Sequence, residues 1–87
     1  MLYNLNVYYM TVTQSIMFHR DMYTPQLARR WLFRHKYHPV KRVDITTNWL
    51  RYRIRAVDYD LYEYRIKHIS DGIKIIFGYP IDDNMEL

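Results

Sequence analysis

The sequence predicts one α+β domain: a mostly antiparallel four- to five-stranded sheet with one helix packed on one face. Three observations carry this. Residues 25–36 alone place apolar side chains at helical spacing. Several other stretches alternate with a period of two, the pattern of half-buried strands. A single helix can then bury one face of such a sheet but not both.

The elements follow in order. Residues 3–9 alternate weakly, with Tyr3, Leu5, Val7 and Tyr9 on one side. Residues 1–9 therefore read as an N-terminal arm or edge strand, and 10–80 as the domain. Residues 11–18 set Val12, Gln14, Ile16 and Phe18 against Thr11, Thr13, Ser15 and Met17, which predicts a strand. Thr24-Pro25 starts the helix, because threonine caps and proline suits the first helical position. Leu27, Ala28, Trp31, Leu32 and His35 form its buried stripe. The helix should reach about residue 36, and His38-Pro39 stops it. Residues 42–47 read as a strand with Val43 and Ile45 inward, ending at a tight turn over Thr47-Asn48. Residues 49–56 form the next strand, and 57–61, with Asp58 and Asp60, a loop. Residues 62–69 alternate Tyr62, Tyr64 and Ile66 against Glu63, Arg65 and Lys67. Ser70-Asp71-Gly72 is a turn. Residues 73–79 form a last strand, with Ile73, Ile75 and Phe77 opposite Lys74 and Ile76. Residues 81–87 are an acidic tail.

Composition narrows the classes. The chain has 87 residues, enough for one modest core. Ten are tyrosines, which supply contact area with a polar tip. No cysteine occurs, so no disulfide and no cysteine-ligated zinc is expected. No apolar run approaches the roughly 18 residues that span a bilayer. The first ten residues lack the basic region of a secretory signal, so secretion by a signal peptide is not expected. The net charge is +4, unevenly placed. The tail holds Asp82, Asp83 and Glu86 and no base; without it the body carries +7. A basic body favours anionic partners.

The charge concentrates in residues 49–55. There Leu50, Tyr52 and Ile54 point one way, and Trp49, Arg51, Arg53 and Arg55 the other. Carrying the alternation onto the neighbouring strands adds Arg42, Arg65, Lys67 and Lys74 to the same open face, with Asp44, Glu63 and Ile76 among them. Guanidinium forks beside an indole suit phosphates or carboxylates. The competing reading is a solvated face, with arginine stems lying over the sheet and cross-strand ion pairs. The face lacks the several aromatics of an RNA-recognition sheet. Phe33, flanked by Arg29 and Arg30, marks a secondary contact on the helix.

Catalysis is not expected, and no catalytic residue, metal ligand or cofactor is implied. His35 and His38 have metal-like spacing but no third ligand nearby. His19 and Asp21 have no activated nucleophile to serve. Gly72 and Gly78 do not form a phosphate loop.

The run Tyr23-Thr24 to Trp31-Leu32, then His35-Lys36-Tyr37, Val43-Asp44, Arg51-Tyr52-Arg53, Tyr64-Arg65 and Gly72-Ile73 to Gly78 resembles short uncharacterised domains of tailed phages and large DNA viruses. They share a threonine-capped helix ending in W-L-x-x-H-x-Y, an R-x-R strand and a final strand running from Gly-Ile to glycine. The likeness covers about residues 15–78. It departs after the R-x-R strand, where Ile54-Arg55 replace a glutamine and a proline-containing loop. The resemblance implies a viral protein with a compact α+β fold, placed in the infected cell's cytoplasm or nucleus, or in the virion. It carries no catalytic residues.

The leading expectation is a non-catalytic binding module whose basic sheet face engages nucleic acid or an acidic protein surface. The alternative is a minor capsid-associated protein, packing on neighbouring virion subunits or on copies of itself.

Overall fold

The computed structural model describes residues 11–81. The arm expected at 1–9 and the tail beyond residue 81 lie outside them. The elements are β1 (Val12–His19), α1 (Pro25–Arg34), β2 (Asp44–Ile45), β3 (Trp49–Arg53), β4 (Tyr62–Ser70) and β5 (Ile73–Pro80). They build a small α+β domain in which five strands pair antiparallel in the order β2-β3-β1-β5-β4. The first strand is thus the centre of the sheet.

The helix forms where the sequence asks for it. Thr24 has extended backbone, and its hydroxyl accepts a 3.2 Å hydrogen bond from the Leu27 amide. Its end comes earlier than residue 36. Lys36 takes a left-handed φ of 64°. Its amide donates to the Phe33 carbonyl, and the Tyr37 amide to that of Leu32. Those two bonds make a Schellman cap. Glycine usually marks such a cap; lysine hid it.

One sheet face carries Ile16, Phe18, Leu50, Tyr52, Ile73 and Ile75, all buried. The register aligns Ile16 with Tyr52 and Ile75, and Phe18 with Leu50 and Ile73. Ala28 and Leu32 of α1 close this core. Phe18 is its aromatic centre, in edge contact with Tyr23, Trp31 and Tyr52 at 5.1, 5.5 and 5.8 Å. Three inward expectations are corrected. His35 is exposed, because it falls at the C-cap, past the last turn of α1, where its ring stacks on Trp31 at 3.8 Å. Leu27 is 44% exposed, because the helix leans on the sheet through Ala28 and Leu32 and turns Leu27 to the flank. Ile45 is 58% exposed, because β2 has two residues and lies at the edge beyond the helix.

The β1 alternation breaks at a bulge. Thr13 pairs with Phe77 and Ser15 with Ile76, leaving Gln14 as the extra residue. An inserted residue flips the faces on either side of it. Val12, expected inward with Ile16, therefore joins Gly78 on the opposite face.

Candidate functional site

The face away from α1 is set by register. Trp49, Arg51 and Arg53 of β3 stand opposite His19, Met17 and Ser15 of β1. Met17 and Ser15 stand beside Lys74 and Ile76 of β5. Ile76 and Gly78 stand beside Ile66 and Tyr64 of β4. Trp49, Arg51, Arg53 and Lys74 thus share one surface. Arg55 follows β3 at its rim, exposed, with its guanidinium 5.9 Å from the Tyr62 ring.

Arg65 and Lys67 do not share it. They pair with Phe77 and Ile75, so they lie on the helix side of the sheet. The alternation within β4 was legible, but its phase was inverted. Tyr62, Tyr64 and Ile66 face the open side, and the charged row faces the helix side. The helix does not reach this edge strand, so charges there stay in water. Each of the two cations lies 5.9 Å from the Tyr79 ring, and Arg65 pairs with Glu63 at 2.9 Å. Arg42 is also displaced. It precedes β2 and lines a groove on the helix side with Arg29 and Phe33. Arg30 sits on the other flank of α1, beside Trp31 and Arg34. The expected secondary contact of Arg29, Arg30 and Phe33 is therefore split by the helix.

The phase inversion changes the chemistry of the open face. It brings Tyr62 and Tyr64 to the side of Trp49, supplying aromatics that a strand-by-strand reading did not place there. Gly78 makes room for them: an added Cβ would meet the Tyr64 ring at 3.0 Å and Val12 at 3.1 Å. Tyr59, 77% exposed, meets Tyr64 edge-on at 5.6 Å. The Tyr64 hydroxyl accepts from the Asp58 amide at 2.7 Å, fixing the loop that carries Tyr59.

The cations on this face are held differently. Arg53 pairs with Asp44 at 3.0 Å and is locally neutralised. Lys74 lies 4.2 Å from the centre of the Trp49 ring, whose edge meets His19. Arg51 is half-buried and donates to the Ser15 hydroxyl and the Gln14 side-chain oxygen, each at 3.1 Å. Neither acceptor is charged, so Arg51 keeps a fixed, uncompensated charge. The buried Gln14 also donates to the Arg55 carbonyl at 3.0 Å, and its own carbonyl accepts from the Ile54 amide. The bulge thus builds a polar clamp that orients Arg51 and ends β3. Sequence reasoning left Gln14 as an inward polar residue without a role; that oddity was the available signal.

Around Arg51 lies a groove of about 220 Å³, walled by Tyr59, Tyr64, Ile66, Ile76 and Val57. It offers a rigid guanidinium beside aromatic and aliphatic surface. Among the described residues no cluster of three or more histidine or acidic side chains is placed to hold a metal. No helix among them is long and apolar enough to cross a membrane. No family model, curated protein or solved structure matches the chain.

Proposed function

We propose that this protein is a non-catalytic binding module whose open sheet face takes single-stranded nucleic acid. One observation carries the reading: the fixed Arg51 charge lies in a groove walled by Tyr59 and Tyr64, on the same face as Trp49, Lys74 and the rim residue Arg55. Bases stack on aromatic side chains, while cations follow the phosphates. A duplex hides its base faces and would use only the cations, so the aromatics favour an unpaired strand.

Tyr59→Ala tests the stacking half without touching the core, since Tyr59 is exposed. Base–aromatic stacking contributes about 1–3 kcal/mol, so affinity for a single-stranded oligonucleotide should fall by about 5- to 150-fold. Unchanged affinity would remove the stacking assignment.

The subunit-packing alternative is favoured by a different feature. β4 is a nine-residue strand at the sheet edge, with Ile66 and Ile69 exposed. Exposed edges invite pairing with another chain. Binding at this edge would survive loss of Tyr59, which separates the two readings.

A further inference from the structure

The other side of the molecule holds a second, larger concavity, independent of the stacking face. It is a groove of about 450 Å³ between α1 and the segment leading to β2. Leu32, Tyr52 and Val43 supply apolar walls, and Phe33, 79% exposed, stands at the mouth. Three cations line it: Arg29, Lys41 and Arg42. No acidic residue does, and none of the three has an ion-pair partner among the described residues. The local sequence explains the imbalance. Residues 22–43 contain six basic residues and no acidic one.

Such a groove selects a ligand with carboxylates close to an apolar anchor. The chain's tail has that chemistry. Residues 82–87, Asp-Asp-Asn-Met-Glu-Leu, hold three acids, no base, and two apolar side chains, Met85 and Leu87. Reach decides which copy provides it. Tyr52 stands in register with Ile16, and Ile16 with Ile75. Ile81 lies six residues beyond Ile75, roughly 20 Å along the chain, and two strand spacings, roughly 10 Å, across at right angles, so it stands roughly 22 Å from Tyr52. Met85, four residues further on, extends only about 13 Å. A chain's own Asp82, Asp83 and Met85 therefore fall short of its own groove, and only Leu87 at full stretch approaches it, whereas another copy's tail has no such limit.

We propose that the groove is the docking site for the acidic tail of a second copy of this chain. The contact joins a groove on one copy to a tail on another, so two copies can close it by exchanging tails, and unreciprocated contacts extend into rings or open chains. Arg29, Lys41 and Arg42 face the carboxylates of Asp82, Asp83 and Glu86. The thioether of Met85 or the side chain of Leu87 enters between Leu32, Val43 and Tyr52.

Sedimentation of the full chain tests this from about 10 µM to about 1 mM at low salt, where so small a contact should fall. The sedimentation coefficient should rise with concentration. It should stay at the monomer value for two full-length variants: Asp82→Asn/Asp83→Asn/Glu86→Gln, and Arg42→Glu, whose side chain is exposed. A synthetic peptide of residues 80–87 should shift the amide resonances of Leu32, Val43 and Tyr52. The same peptide with Met85→Ser and Leu87→Ser should bind several-fold more weakly. Four results would overturn the proposal: no concentration dependence, association that survives both variants, peptide shifts confined to other residues, or equal binding by an unrelated acidic peptide.

Discussion

At the scale of single residues, three positions hold the local geometry. Lys36 occupies a left-handed backbone that glycine adopts without cost. Lys36→Gly should therefore raise the denaturant midpoint, by about 1 kcal/mol of stability. Gln14 satisfies Arg51, the Ser15 hydroxyl and the Arg55 carbonyl from one buried site. Gln14→Leu should cost about 2–3 kcal/mol by leaving Arg51 and its neighbours short of partners. Urea melts would show it, and a loss under about 0.5 kcal/mol would mean that the clamp is not formed. Tyr52 titrates abnormally. Burial raises its phenol above the ordinary 10.0, against the opposing pull of the Arg29 charge and hydrogen bond. The folded state thus favours the protonated phenol. That contribution is complete below about pH 10 and is lost as pH rises through the raised value. Tyr52→Phe should flatten the fall of stability above pH 10, measured by melting at stepped pH.

At the scale of elements, the helix separates its residues by what they touch. Leu32→Ala should cost about 2–5 kcal/mol, whereas Leu27→Ala should stay within about 0.5 kcal/mol. Both follow from one denaturation series. The sequence placed the helix start, the β3 alternation and the Asp71-Gly72 turn, because each rests on a local rule. It did not place the faces of β4. A strand with tyrosines and isoleucine on one row and charges on the other suggests that the apolar row is inward. Here β4 lies past the helix, so neither row is covered, and only pairing with β5 fixes which way each points. The bulge at Gln14 was equally hidden. Within residues 11–18 the one sign is Gln14, a polar residue on the apolar row; that a residue is inserted there emerges only from the partner strand. Arg53 illustrates the same limit for the site. Its neutralisation by Asp44 depends on a two-residue strand pairing, not on spacing along the chain.

At the scale of the whole molecule, charge and aromatic surface are sorted to two sides. The helix side carries the unbalanced cations of residues 22–43 around an apolar groove. The open side carries Arg51, Lys74 and the rim residue Arg55 among Trp49, Tyr59, Tyr62 and Tyr64. This sorting provides a charge-matched test. Arg55→Gln/Lys74→Gln removes two charges from the open side; Arg65→Gln/Lys67→Gln removes two from the β4 row on the helix side. The most direct measurement is a salt titration of binding to a single-stranded oligonucleotide by the wild type and both double variants. Each cation engaged with phosphate contributes about 0.7 to the slope of log affinity against log salt. The open-side variant should flatten that slope by about 1.4, while the helix-side variant leaves it unchanged. Equal flattening by both variants, or no wild-type binding even at low salt, would contradict a nucleic-acid site on the open sheet face.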